Sequence, residues 1–203
     1  MKTSRLLIAL FVAATVAAFG GVAAWRAGMF GGGELGGQEG TALVGGPFHL
    51  TNQNGARVDE SLLNGKWTAV FFGYTYCPEA CPTTLTALAR ALDQLGPKAK
   101  DVQVVFVSID PERDTPAQLK TYLSSQSFPK ATIGLTGSAA DVAQAAKAYR
   151  VFYQKSGTGP NYAMDHSTAL YLMDKRGRFD RVIAYGLPPE EIARQIGDAV
   201  RGD

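Results

Sequence analysis

Hydrophobic and polar positions divide the chain into a long apolar run, a glycine-rich segment and a patterned remainder. No charged residue occurs from Leu6 to Trp25, and Arg5 and Arg26 bound this run. Its length is close to the roughly 20 apolar residues that cross a bilayer core. We therefore expect residues 1–30 to form an N-terminal transmembrane anchor with a single span, or a signal segment.

A retained anchor and a cleaved signal peptide are alternatives, and both place the rest of the chain on the same side of the membrane. A cleaved signal peptide has a shorter apolar core and small residues at its cleavage site, for which residues 22–24 would serve. The longer run favours a retained anchor. Lys2 and Arg5 precede the run, and positive charge favours the cytoplasmic side. This predicts that the folded domain lies outside the cytoplasm, which in a bacterium means an inner-membrane protein with its domain in the periplasm.

Glycine dominates residues 31–45, a composition typical of a flexible linker. The folded domain is then predicted to span residues 46–203. Within it, residues 67–74 are a continuous apolar run of the kind found in buried central strands, and the mainly apolar residues 102–109 are predicted to form a second buried strand.

Helix signals alternate with these strands. Pro82 is typical of a first helical position, and the helix it begins is predicted to end before Gly96. The other predicted elements are a short strand at Pro47–Leu50, helices beginning at Thr115-Pro116, Ser138 and Pro188, and a hairpin of Thr168–Met173 and Arg178–Ala184. This order predicts an α/β domain in which helices flank a mixed sheet, the layout of thioredoxin-like proteins.

Composition narrows the possible functions. The chain has a formal net charge of +2 and its basic residues form no run, so we expect no nucleic-acid partner. It contains only two cysteines and two histidines. Any cysteine or histidine chemistry must therefore use Cys77, Cys81, His49 or His166.

Cys77 and Cys81 lie between the first buried strand and the helix that follows it. Open α/β sheets usually place their sites at this end of a strand, and a helix start lowers the pKa of a nearby thiol. Two thiolates can bind one soft ion such as Cu(I) or Zn(II). A redox-active disulfide is the main alternative. A purely structural disulfide is disfavoured, because closing so short a loop contributes only about 2 kcal/mol.

His166 is the histidine that fits the cysteine pair. It precedes a predicted strand, and neighbouring strands of one sheet would bring it beside the cysteine loop. Two thiolates and an imidazole form a suitable copper site. Met164 is either a weak thioether ligand or, the interpretation we favour, a packed side chain. His49 lies between apolar residues, and we do not expect it to bind metal.

A charged segment, residues 108–116, follows the second buried strand. Its side chains are expected at the same edge of the sheet as the cysteines. They either dock a partner or form turns and a helix cap.

Three segments in the same order closely resemble the Sco/SenC family over residues 46–200. They are Phe72–Thr75 with Cys77-Pro78 and Cys81-Pro82, then Asp110–Pro116, then Asp165–Ser167. The resemblance implies a thioredoxin-like fold and binding of Cu(I) and Cu(II) by Cys77, Cys81 and His166. It also implies a copper metallochaperone, not an enzyme, that assists assembly of the CuA centre of cytochrome c oxidase.

The implied partners are the oxidase subunit that carries CuA and another periplasmic copper chaperone or thiol reductase. The alternative is a membrane-anchored thiol–disulfide oxidoreductase, with a peroxide-reducing enzyme as a weaker possibility. The sequence departs from the family pattern at Glu79, where Asp is usual, and at Tyr76, where His is frequent. Thioredoxin-type reductases usually carry a proline where this chain has residues 166–168, and its absence favours metal binding.

Overall fold

The computed structural model describes residues 44–202. The predicted anchor, residues 1–30, and all but the end of the predicted linker lie outside this range. Within residues 44–202, no helix has the length and apolar character needed to cross a membrane.

Nine strands and four helices make up the described part of the chain. The strands are β1 (His49–Asn52), β2 (Arg57–Asp59), β3 (Trp67–Gly73), β4 (Val102–Ser108), β5 (Ile133–Thr136), β6 (Tyr153–Ser156), β7 (Ala163–His166), β8 (Leu170–Met173) and β9 (Phe179–Ile183). The helices are α1 (Ala80–Leu95), α2 (Pro116–Leu123), α3 (Ala139–Ala148) and α4 (Pro189–Arg201). Short 3-10 turns occupy Glu60–Leu63 and Gly96–Asp101.

Seven of the strands form a mixed sheet in the order β2-β1-β5-β4-β3-β8-β9. Strands β3, β4 and β5 run parallel, and the remaining pairs are antiparallel. Every residue of β3 is buried, as its continuous apolar sequence predicts for a central strand. Strands β6 and β7 form a separate two-stranded sheet.

Helices cover both faces of the large sheet. The rings of Phe71 and Phe106 lie on one face, 6.0 Å apart, and Tyr122 of α2 packs on Phe106 there. Phe72 points to the other face because side chains alternate along a strand. It contacts Tyr149, the residue that ends α3, with ring centroids 5.2 Å apart. Helices α1 and α4 contact each other. The resulting layers form one apolar core.

Most predicted elements are present, with ends shifted by a few residues. Helix α1 begins at Ala80, before Pro82. Helix α3 begins after Ser138 as predicted, where a capping box forms: the Ser138 side chain accepts a hydrogen bond from the Asp141 backbone N–H, and the Asp141 side chain accepts one from the Ser138 backbone N–H. The hairpin of β8 and β9 is also confirmed.

Strands β2 and β5 and the hairpin of β6 and β7 were not predicted from the sequence. Strand β6 is largely exposed and polar, so it lacks the alternation that identifies a half-buried strand. This omission affects the functional site, because β7 ends at His166.

Candidate metal centre

The two cysteines lie where β3 leads into α1. Cys77 is half-buried in the connecting loop, and Cys81 is fully buried in the first turn of α1. Both are free thiols. A Cβ atom at Gly73, the last residue of β3, would lie 2.7 Å from the Cys81 sulfur. Glycine at this position therefore lets the helix start pack directly on the strand.

His166 reaches the cysteines through the pairing of β8 with β3. Leu170, the first residue of β8, is the partner of Phe71 near the end of β3. The short segment before Leu170 thus begins beside the cysteine loop. His166 Nε2 lies 3.7 Å from the Cys81 sulfur.

The orientation of the His166 ring leaves one nitrogen available to a metal. Nδ1 lies 2.7 Å from the backbone oxygen of Ser167. A carbonyl oxygen only accepts hydrogen bonds, so Nδ1 carries the proton. Nε2 of the neutral ring then has a free lone pair, and it is the nitrogen that faces the sulfur. A backbone partner of this kind commonly fixes the tautomer of a metal-binding histidine.

The three predicted ligands converge. One ligand atom from each of Cys77, Cys81 and His166 lies within 4.8 Å of the others, and this is the only group of its kind found among residues 44–202. Metal bonds to thiolate and imidazole are about 2.0–2.3 Å long, so ligand atoms of one ion lie up to about 4.6 Å apart. A small closing movement would place all three around one ion. Two thiolates and an imidazole suit copper.

The two thiols differ strongly in acidity. The pKa of Cys77 is lowered to about 4, chiefly by a hydrogen bond from the Cys81 thiol and also by the Cys81 backbone N–H at the helix start. That N–H lies 3.3 Å from the Cys77 sulfur. The pKa of Cys81 is raised by the same shared proton and by burial. At neutral pH the pair therefore holds one negative charge, on Cys77.

Asp114 fixes the start of the cysteine loop. Its fully buried carboxylate accepts hydrogen bonds from the backbone N–H of Thr75 at 3.1 Å, the Thr75 hydroxyl at 2.7 Å and the Ser108 hydroxyl at 2.6 Å. Burial raises the pKa of Asp114, and these hydrogen bonds oppose the rise. For residues 108–116 the sequence predicts either partner docking or turns and a helix cap. Thr115 does cap α2, whereas Asp114 is buried and holds the start of the cysteine loop through its hydrogen bonds.

The other candidate residues lie outside the ligand group. Glu79 is exposed, and Tyr76 is 57% exposed and packs on the guanidinium of Arg113. Met164 is buried in the core, in keeping with a packing role. His49 is exposed on β1 and is not part of the ligand group, as expected.

A sequence model of the SCO1/SenC family matches residues 36–201. The chain belongs to this family. It is 40% identical over 158 residues to Protein SenC of Rhodobacter capsulatus, in an alignment that covers 77% of this chain and 71% of that protein. It spans between 42% and 76% of the length of the curated SCO1/SenC relatives compared.

Solved structures of SCO1/SenC proteins share the fold. ScoI of Bradyrhizobium japonicum with copper bound is 45% identical and matches with a TM-score of 0.69, covering 76% of this chain and 98% of that chain. BsSco, described as a member of the Sco family of cytochrome c oxidase assembly proteins, is 22% identical with a TM-score of 0.61, covering 76% and 91%. These similarities confirm the predicted thioredoxin-like mixed sheet.

Replacing Asp114 by alanine should destabilise the protein. Three donors at Thr75 and Ser108 would lose their acceptor, at a cost of about 2–4 kcal/mol in the free energy of unfolding. Urea denaturation measures this difference. Asp93, exposed on α1, supplies the control, and equal stability of Asp114→Ala and Asp93→Ala would contradict the role assigned to Asp114.

Alkylation should distinguish the two thiols of the reduced, metal-free protein. At pH 6 iodoacetamide should modify Cys77 and spare Cys81, because Cys77 is half-buried with a pKa near 4 whereas Cys81 is fully buried with a raised pKa. Mass spectrometry of the digested protein locates the label. Equal labelling of both cysteines in the folded protein would contradict the predicted difference in acidity and accessibility between them.

Proposed function

We propose that this protein is a copper metallochaperone that binds Cu(I) and Cu(II) through Cys77, Cys81 and His166. The observation that carries the proposal is the convergence of these three ligand atoms to within 4.8 Å. The family relationship supports it, since the ScoI structure that is 45% identical has copper bound. Copper is the cargo of such a protein.

The environment of the ligands suits uptake and release of an ion. Cys77 is already a thiolate at neutral pH, so binding there requires no deprotonation. It is also half-buried, so an incoming ligand has access to it. A three-ligand site leaves room for a further ligand from an acceptor, and copper can then move by exchange of one ligand at a time. Such a carrier performs no catalysis, and we propose that the protein is not an enzyme.

The acceptor we propose is the cytochrome c oxidase subunit that carries CuA. Support comes from the description of BsSco as a member of a family of cytochrome c oxidase assembly proteins. Copper is received from another periplasmic copper chaperone. Residues 1–30 anchor the protein in the inner membrane and residues 31–45 tether the domain on the periplasmic side, as the apolar run and the glycine-rich composition indicate.

The difference between the two thiols supports a second function, thiol–disulfide exchange. The Cys77 thiolate would attack a substrate disulfide, form a mixed disulfide and displace one substrate thiolate. Cys81 would then lose its proton and attack the Cys77 sulfur, which releases the second substrate thiolate and leaves a Cys77–Cys81 disulfide. The substrate gains two electrons from the dithiol, and a periplasmic thiol reductase would restore it.

Copper titration tests the metallochaperone proposal. Adding Cu(II) to the reduced domain should produce a visible thiolate-to-copper band, which Cys77→Ala should abolish. His166→Ala should change the band and weaken Cu(II) binding by at least about tenfold, since even loss of an outer partner of a ligand has such an effect. Absorption spectra and competition with a chelator measure both quantities.

His49→Ala is the matched control for this titration, because His49 and His166 are the only histidines. The control should bind Cu(II) like the wild type. An unchanged spectrum in His166→Ala would refute the three-ligand site.

Disulfide exchange has a different dependence on the same residues. With oxidised glutathione as the probe, Cys81→Ser should accumulate a mixed disulfide at Cys77, because the resolving thiol is missing. His166→Ala should still carry out the exchange, because both thiols remain, although loss of the His166 contact raises the pKa of Cys77. Mass spectrometry follows the adduct, with Cys77→Ser as the control. If no adduct forms at either cysteine, the second function is excluded.

A further inference from the structure

The hairpin that carries His166 is not part of the large sheet. Strands β6 and β7 pair only with each other among the described strands. At the base of the hairpin, the backbone N–H of Ser167 donates to the oxygen of Phe152 at 2.9 Å, and the Phe152 N–H donates to the Ser167 hydroxyl at 3.1 Å. These bonds close the hairpin on itself. Apart from its short connection to β8, its position over the cysteines therefore depends on side-chain contacts.

Arg113 makes several of the contacts that attach this hairpin to the body of the protein, beside others such as the ion pair of Lys155 with Glu112. It lies between β4 and α2, and its side chain is only 13% exposed. The guanidinium carbon lies 3.6 Å from the centroid of the Tyr162 ring, and Nη1 donates to the Tyr162 backbone oxygen at 2.9 Å. Tyr162 directly precedes β7.

Asp110 completes this attachment. Its carboxylate accepts a hydrogen bond from Arg113 Nε through one oxygen and from the Tyr162 hydroxyl, at 2.5 Å, through the other. Asp110 is 2% exposed, so the ion pair is shielded from water and from salt. The three side chains form a closed set of contacts between the hairpin and the loop after β4.

The same guanidinium also faces the cysteine loop. Its carbon lies 4.7 Å from the ring centroid of Tyr76, the residue before Cys77, and 5.7 Å from that of Tyr74. The Tyr74 ring is in turn in edge contact with the His166 ring, with centroids 5.8 Å apart. Arg113 thus touches both segments that supply ligands, although it is not itself a ligand.

We propose that Arg113 is a positioning residue that holds His166 against the two thiolates and thereby makes the site competent for Cu(II). This inference rests on the proposed copper-binding function. Soft thiolates alone can retain Cu(I), whereas Cu(II) favours sites that include nitrogen or oxygen ligands. Loosening the hairpin should therefore weaken binding of Cu(II) far more than binding of Cu(I).

The planar shape of the guanidinium is central to this role. It stacks on tyrosine rings while its N–H groups reach the Asp110 carboxylate and the Tyr162 backbone oxygen. A lysine ammonium keeps the charge but cannot stack and bind in this way. Arg113→Lys therefore tests the geometry while keeping the buried Asp110 carboxylate paired.

The experiment compares Arg113→Lys and Arg113→Ala with Arg178→Ala. Arg178 forms an exposed ion pair with Asp174 near the turn between β8 and β9 and serves as the matched control. Three quantities are measured: the Cu(II) affinity and spectrum, the Cu(I) stoichiometry under reducing conditions, and the hydrogen exchange of residues 153–166 in the metal-free protein. Circular dichroism records whether each variant is folded.

Arg113→Ala should lose about 10- to 100-fold in Cu(II) affinity, the range for outer partners of metal ligands. Its spectrum should approach that of His166→Ala, while one Cu(I) per chain is retained and exchange of residues 153–166 becomes faster. The Cu(II) affinity and hairpin hydrogen exchange of Arg113→Lys should lie between those of Arg113→Ala and the wild type. If Arg113→Ala does not fold, Arg113→Lys alone tests the inference. Arg178→Ala should match the wild type.

Wild-type Cu(II) binding and wild-type hairpin exchange in Arg113→Lys and in every folded Arg113 variant would overturn the inference. Equal losses of Cu(I) and Cu(II) would also overturn it. If the wild type itself binds no copper, the proposed function fails, and the hydrogen exchange of the hairpin still decides whether Arg113 positions it.

Discussion

The burial and pairing of β3 is the constraint on which the site depends. All seven residues of this strand are buried, and it lies between parallel β4 and antiparallel β8. Its end is thereby held from both sides. The cysteine loop leaves from that end, and β8 has to begin beside it in order to run antiparallel. Both ligand-bearing segments therefore meet at the same place as a result of core packing.

Sequence reasoning identified the parts of the protein that hydrophobic pattern determines. Strands β3 and β4 are mainly apolar segments, and the start of α3 carries a capping box. Cys77, Cys81 and His166 could be selected because the chain contains so few cysteines and histidines. The family resemblance then implied that these three residues are the copper ligands, and the structure brings them together.

The supporting contacts could not be predicted, because they join distant positions through ordinary residue types. Asp114 reaches Thr75 across 39 residues, and Arg113 reaches Tyr162 across 49. In the sequence both belong to a charged segment that resembles a surface turn, yet Asp114 is fully buried and Arg113 nearly so. A buried charge needs polar partners. Because these partners are distant in the sequence, the burial of Asp114 and Arg113 cannot be recognised before the fold is known. The transmembrane anchor stays a prediction from composition.

Because Cys81 is completely buried, the two sides of the metal centre differ in their access to solvent. Gly73 closes one side of this sulfur, since a Cβ atom at that position would lie 2.7 Å from it. Cys77 and His166 are only half-buried. An ion held by the three residues would therefore be covered on the side of Cys81 and accessible on the side of Cys77 and His166. An acceptor that approaches from the accessible side would reach Cys77 and His166 first, so we expect the bond to Cys81 to be the last of the three to break.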